Sequence, residues 1–172
     1  MTATTRNETT MIDGYLRTAT LVAAIGAGLS GGVFFAFSTF IMPALRKLPD
    51  SQAISAMNSI NKEAPNAWFM TVLFGTAALC VLLGVQAARR FGQQGATYLL
   101  VGSVAYLVAI VLTVAYHVPQ NDALMQVDPQ AAGAAATWSH YYTGWTSLNH
   151  LRTLGCVVGA TFFTVALRSD EA

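Results

Sequence analysis

Three stretches of this sequence run free of Asp, Glu, Lys and Arg, between Arg17 and Arg46, between Glu63 and Arg89, and between Arg90 and Asp122. Each is long enough to cross a hydrocarbon core about 30 Å thick, which takes roughly 20 residues of helix. A fourth apolar stretch, from Ser147 to Arg168, differs from the others. Its most apolar part, Leu154 to Leu167, is too short to span unless Arg152 and His150 are carried into the membrane. Backbone polar groups in lipid must be satisfied internally, and none of the stretches shows the period-two alternation of a barrel strand. The expectation is an all-α, four-helix transmembrane bundle with approximate spans 16–42, 67–88, 96–118 and 147–167. Pro119 is expected to end the third span, because a proline disfavours helix at the residue before it, here Val118.

Composition agrees with a membrane chain. Of 172 residues, 54% are hydrophobic and 10% charged, well under the roughly 25% charge of soluble domains. Nine Lys and Arg nearly balance eight Asp and Glu, so no basic excess exists to neutralise phosphates, and nucleic acid is not an expected partner. Cys80 and Cys156 lie inside apolar stretches and read as small packing residues, not as a disulfide framework or a zinc site. The apolar run from Leu21 to Leu45 is far longer than the h-region of a signal peptide, and Glu8 and Asp13 weaken a positive n-region. The first span is therefore expected in the mature protein.

A polar tail over residues 1–13 is expected to be disordered, which leaves 14–170 as one domain. Two long loops on one face of the membrane each carry a short amphipathic helix. The first, Ser51 to Ala64, can be capped by Asp50 or Ser51, repeats Ile54, Met57, Ile60 and Asn61 at helical spacing, and is followed by Pro65. The second, Ala131 to Trp145, either lies flat on the bundle or leads into the fourth span. Gly28 with Gly32, and Gly155 with Gly159, have the GxxxG spacing that lets helices approach closely. Arg6, Arg17, Arg89, Arg90 and Arg168 flank the spans on the side of the termini, against Arg46, Lys47, Lys62 and Arg152 opposite. By the positive-inside tendency this asymmetry puts both termini of a multi-pass cell-membrane protein in the cytoplasm.

Polar and ionisable residues gather at one membrane face: His117, Asn121, Asp122, His140, Asn149, His150 and Arg152, joined by Asn58, Asn61 and Glu63 from the first long loop. An ionisable residue inside a span is by default a functional-site candidate. Arg152 either snorkels its charge to the interface or faces the bundle, with Asp122 or Glu63 as its partner. Trp138, Tyr141, Tyr142 and Trp145 recur at helical spacing, and Asn149 and Arg152 continue the same face if the helix is unbroken. These rings form either an interfacial aromatic belt or the wall of a flat pocket that stacks a planar substrate. His140 and His150 are about 80° out of phase on a helix of roughly 3.6 residues per turn. His117 lies on another segment, so no compact ligand unit exists and no metal is assigned. Walker, Rossmann, GxSxG and HExxH patterns do not occur, and no cofactor is assigned.

Three stretches taken in order carry a family likeness: "GVFFAFSTFIMPALRKLP" from Gly32 to Pro49, "AISAMNSINKEAPN" from Ala53 to Asn66, and "HVPQNDAL" with the later "WTSLNHLRT" ending at Thr153. Together they resemble the anthrone oxygenase-like membrane family, over nearly the whole chain after the tail. The resemblance implies a small four-helix membrane protein. It also implies, for some members, oxidation of anthrones to anthraquinones by O2 without an evident cofactor. The family pattern falls on Pro43, Asn61, Pro119, Asn121, Trp145, Asn149, His150 and Arg152. His117 stands where the family often has Asn before Val-Pro, and Leu148 where it often has an aromatic residue.

The reading that follows is a cofactor-independent oxygenase that takes a planar phenolic or anthrone-type substrate from the bilayer. His150 is the first choice of base, and Asn149, Asn121 and Arg152 would stabilise the enolate. Trp145 and Tyr142 would hold the ring, with Trp138, Asn61 and His117 completing the substrate site. The expected partners are membrane lipid, a planar hydrophobic small molecule with O2, and, as an open alternative, a second copy of the chain. A non-enzymatic module competes with this reading. In it the same polar cluster ties loops to the bundle, or binds a lipid, a small hydrophobic ligand or a partner protein.

Overall fold

The computed structural model describes residues 3–93 and 95–169, with side chains from Gly14 onward, and every element among them is helical. The expected tail, residues 1–13, lies outside this fully described part. In chain order the elements are α1 (Ala3–Ala36), a π-helical turn (Phe37–Ile41), α2 (Met42–Leu45), α3 (Asp50–Glu63), α4 (Ala67–Arg89), α5 (Ala96–Leu112), a second π-helical turn (Thr113–His117), α6 (Val118–Met125) and α7 (Ala134–Ser169). Four helical stretches are long and apolar enough to cross a membrane: Gly14–Leu45, Ala67–Arg89, Ala96–Met125 and Ala134–Ser169. The chain is an all-α transmembrane bundle.

The spans pack as a ring, α1 against α4, α4 against α5, α5 against α7, and α7 back against α1. Their outer faces expose Leu21, Ile25, Leu29, Val81, Leu82, Val104, Val108, Val111, Leu154 and Val157, an apolar surface of the kind that membrane-spanning helices present. The inner faces bury Ala23, Ala27, Leu73, Cys80, Leu83, Tyr106, Ala109, Cys156 and Phe163. Both cysteines are free and buried. Tyr106 donates its hydroxyl to Leu73 O at 3.0 Å, so Ser30 is the donor in the second contact of that hydroxyl, also 3.0 Å.

The two glycine pairs part company. A Cβ on Gly155 would meet Ala105 O at 2.7 Å, and one on Gly159 would meet Gly102 O at 3.3 Å, so this pair lets α7 and α5 touch backbone to backbone. A Cβ on Gly28 or Gly32 would meet nothing within 4 Å, because that face of α1 is turned outward.

Proline ends neither the first nor the third span. Each continues through a π-helical turn, in which Met42 N–H bonds Phe37 O and Val118 N–H bonds Thr113 O. Pro43 and Pro119 then occupy the first turn of α2 and α6. Proline within an α-helix leaves the carbonyl four residues back without a donor and collides with it. One extra residue in the turn relieves the collision, and the rod runs on to Leu45 and Met125.

The fourth span reaches further than the expected 147–167, as one unbroken helix from Ala134 to Ser169. Ala131 to Trp145 thus takes the second of its two readings and leads into the span, since no proline interrupts this stretch. The helix in the first long loop is α3, which buries Ala53, Ile54, Met57 and Asn61 and lies against α2, α6 and α7 at the end of the bundle. Pro49, not Asp50 or Ser51, holds its cap position and offers no side-chain hydrogen bond. Asn66 caps the next helix, accepting from Phe69 N–H at 3.0 Å.

Candidate functional site

The buried residues of α7 form one stripe: Ala134, Trp138, Tyr141, Trp145, Asn149, Arg152, Cys156, Gly159, Phe163 and Ala166. Steps of three and four residues keep them on one side of the helix. The lower half is apolar and packs into the bundle. The upper half carries the polar and aromatic side chains, and it meets α1, α6 and α3 at the end remote from the termini.

Asn149, with no exposure, is the hub. Its Nδ2 donates to Phe34 O at 2.7 Å and to Ser38 Oγ at 2.8 Å, both on the first span. Its Oδ1 accepts from Arg152 Nε at 3.2 Å and from Nη2 at 2.8 Å. Thr153 closes the group by donating to Asn149 O at 3.0 Å and lying 3.5 Å from Ser38 Oγ. The π-helical turn Phe37–Ile41 contains Ser38 and thereby aims it at α7.

Arg152 is 5% exposed, so it faces the bundle and does not snorkel. Neither carboxylate expected as its partner reaches it: Asp122 and Glu63 are both exposed, and the guanidinium bonds Asn149 instead. Its carbon lies 3.9 Å from the centroid of the Phe34 ring and 5.4 Å from that of Trp145. A weakly hydrated, planar cation suits such a sandwich. Of its five N–H donors, the three outside the Asn149 contact make no hydrogen bond among the described residues.

Beside it stands His117, 1% exposed, with its ring edge-on to Trp145 at 5.0 Å between centroids. Nδ1 lies 3.0 Å from Leu112 O and Nε2 3.2 Å from Trp145 O. A neutral imidazole has one N–H, so one of these nitrogens turns a lone pair toward a carbonyl. Four residues on, Asn121 Oδ1 accepts from both Tyr141 Oη and Trp145 Nε1, each at 2.8 Å. Trp138 stacks on Tyr141 at 5.7 Å, and half-buried Tyr142 lies under the Arg46 guanidinium at 4.8 Å. Asn61 of α3 is 8% exposed and sits against the Tyr141 hydroxyl.

The structure therefore brings together Asn149, Arg152, Asn121, Trp145, Trp138, Asn61 and His117, with Tyr142 at the margin. His150, the sequence-based choice of base, is not among them. It is exposed, as is His140, because the residue after Asn149 is turned about 100° around the helix. Among the described residues no three His, Cys, Asp or Glu side chains converge. Sequence reasoning missed Phe34, Ser38, Phe37 and Thr153. The available signal was the buried run Ala23, Ala27, Ser30, Phe34, Ser38 and Met42, at helical spacing on the first span with two serines set among apolar residues.

A cavity of about 450 Å³ opens at the opposite end of the bundle, lined by Leu16, Arg17, Thr20, Gln86, Arg90 and Leu99. A groove of about 270 Å³ runs between Gly28, Gly32 and Phe35 of α1 and Val157 and Thr161 of α7. Neither includes a residue of the polar cluster.

Compared with known families, residues 66–162, more than half of the chain, match the model of the anthrone oxygenase family. The match covers α4, α5, α6 and α7 as far as residue 162, and with them Asn121, Trp145, Asn149 and Arg152; Phe34, Ser38 and Asn61 precede it. No curated protein and no solved structure matches the chain.

Proposed function

The chain belongs to the anthrone oxygenase family, and we propose that it is a membrane-embedded oxygenase of planar phenolic or anthrone-type molecules, working at the cluster around Arg152. The observation that carries this reading is a buried guanidinium paired with a neutral amide, with three N–H donors unspent. An unpaired buried charge is costly, and it is most useful where negative charge develops during a reaction. The enolate of an anthrone is such a charge on a flat frame, and Phe34 and Trp145 are the flat surfaces beside the cation.

His117 takes the role that exposed His150 does not fill. Its nitrogen facing a carbonyl with a lone pair gains a hydrogen bond on protonation, since both nitrogens then donate. The substrate gives a methylene proton to His117, and the resulting carbanion, delocalised onto its oxygen, is held by Arg152. The carbanion adds to O2 at that carbon, and return of the proton gives a hydroperoxide. Loss of the second C–H proton with cleavage of the O–O bond forms the new carbonyl and releases water. Anthrone and O2 thus become anthraquinone and water, and both oxygen atoms of O2 are accounted for. Lipid-facing helices suit a substrate that arrives from the bilayer, and the arginine distribution supports both termini on the cytoplasmic side of the cell membrane.

The test is O2 consumption by the purified chain in detergent with an anthrone, corrected for autoxidation, beside Arg152→Met. A rate above background that Arg152→Met removes is the expected result. A rate that survives Arg152→Met, or none for the unaltered chain, would overturn the proposal and favour a structural cluster.

A further inference from the structure

Two amides on α3 have no use in the packed bundle. Asn58 and Asn61 stand one turn apart, with Cβ atoms about 5–6 Å from each other by helix geometry. Both are turned inward. Asn58 Nδ2 reaches Leu124 O on α6 at 3.3 Å, and Asn61 lies beside the Tyr141 hydroxyl, which gives its own hydrogen to Asn121. Yet Asn61 Nδ2 has no acceptor in hydrogen-bonding geometry and Asn58 Oδ1 has no donor, although both atoms are buried. Buried side-chain polar atoms without partners are rare, and each calls for an explanation. Here one donor and one acceptor are left over on the same face of the same helix, beside Leu124 and Tyr141.

We infer that α3 reads the oxygen pattern of the substrate, with Asn61 Nδ2 donating to a carbonyl or enolate oxygen and Asn58 Oδ1 accepting from a hydroxyl next to it. This rests on the proposed oxygenase site, of which it is the second wall. Tyr141 lies beside Asn61 and 6.3 Å from the Trp145 ring, which in turn lies 5.4 Å from the Arg152 guanidinium, so a flat molecule between α3 and α7 spans from the amide pair to the cation. The matching ligand edge is an acceptor beside a donor, as in an aromatic ketone with a neighbouring hydroxyl. α3 runs between Pro49 and Pro65 and joins the bundle through side chains, so it is the element whose displacement admits the ligand.

The experiment is quenching of tryptophan fluorescence of the full chain in detergent by two unreactive analogues, anthraquinone and a peri-dihydroxyanthraquinone, for the unaltered chain, Asn61→Leu and Asn58→Leu. The unaltered chain is expected to prefer the hydroxylated probe. Asn58→Leu is expected to weaken that probe by about tenfold, the scale of a hydrogen bond, and to leave anthraquinone, which has no hydroxyl, unchanged, whereas Asn61→Leu loses the donor to the carbonyl and weakens both probes by about tenfold. Thermal unfolding should stay level or rise in Asn61→Leu, where an orphaned donor is replaced by an apolar group, and fall slightly in Asn58→Leu, which also gives up the bond to Leu124 O. Equal weakening of both probes by Asn58→Leu, no weakening by either substitution, absence of binding, or a marked fall in the thermal stability of Asn61→Leu would overturn the inference. O2 consumption separates its fate from that of the oxygenase. Selective binding without turnover would remove the oxygenase and keep the α3 reading, whereas turnover with unaltered selectivity in Asn58→Leu would do the reverse.

Discussion

Arg152 donates through Nε and Nη2 to a single oxygen, Asn149 Oδ1, at 3.2 and 2.8 Å, one turn away on the same helix. The same amide gives both its hydrogens to the first span, at Phe34 O and Ser38 Oγ. One neutral side chain thus fixes the cation and ties α7 to α1, and it leaves the charge uncompensated.

Asn149→Ala should therefore be severe for folding as well as for turnover. It strands the guanidinium, Phe34 O and Ser38 together, and removing one partner of a buried charge costs roughly 3–5 kcal/mol. Asn149→Asp keeps the acceptor for Arg152 but sets a carboxylate oxygen against Phe34 O, so an intermediate loss is expected. Thermal unfolding in one detergent measures both. An Asn149→Ala protein as stable as the unaltered chain would mean that the network contributes nothing.

The three histidines give a second, independent check. His140 and His150 are exposed, and alanine at either should leave O2 consumption within about twofold, as for surface substitutions in general. His117→Gln should abolish it, because a side-chain amide supplies hydrogen bonds but takes up no proton, while general base work contributes about 10²–10⁴-fold. Loss of activity in His150→Ala with retention in His117→Gln would reverse the assignment.

Why the sequence points to the site but misplaces its base is a matter of angle. Asn149, His150 and Arg152 sit within four residues, yet a helix puts the middle one on the far side, and the spacing from Trp138 through Trp145 to Asn149 already excludes His150 from the stripe. The spans were legible because charge is excluded from lipid whatever the packing. The ends of the first and third were not, because a proline reads as a stop unless a π-helical turn absorbs it, and nothing local to Pro43 or Pro119 announces that turn. Ser38 and Phe34 escaped notice because their roles lie in a backbone carbonyl and a hydroxyl that matter only once α7 is beside them.

Equal spacing does not give the two glycine pairs equal weight. Gly155→Ala pushes a methyl against Ala105 O on α5, and the helices must separate, at about 1–3 kcal/mol. Gly28→Ala meets open space and should stay within about 0.5 kcal/mol of the unaltered chain. Thermal unfolding of the two variants side by side decides the point, and the order is reversed if α1 is the close-packed partner.

Asn121 supports the aromatic wall from the side. Its Oδ1 is the common acceptor for Tyr141 Oη and Trp145 Nε1, and its direction is set by the extra residue that the second π-helical turn inserts upstream. Asn121→Leu orphans two buried donors at once, at about 1–3 kcal/mol each, whereas Tyr141→Phe removes one donor and leaves the acceptor satisfied by Trp145. The leucine variant should therefore be the less stable by at least about 1 kcal/mol and should shift the fluorescence of Trp145, whose indole loses its partner. Asn121→Asp retains the acceptor and should preserve that emission. Equal stability of Asn121→Leu and Tyr141→Phe would show that the two rings are held by packing alone, and the amide would then have no part in shaping the wall.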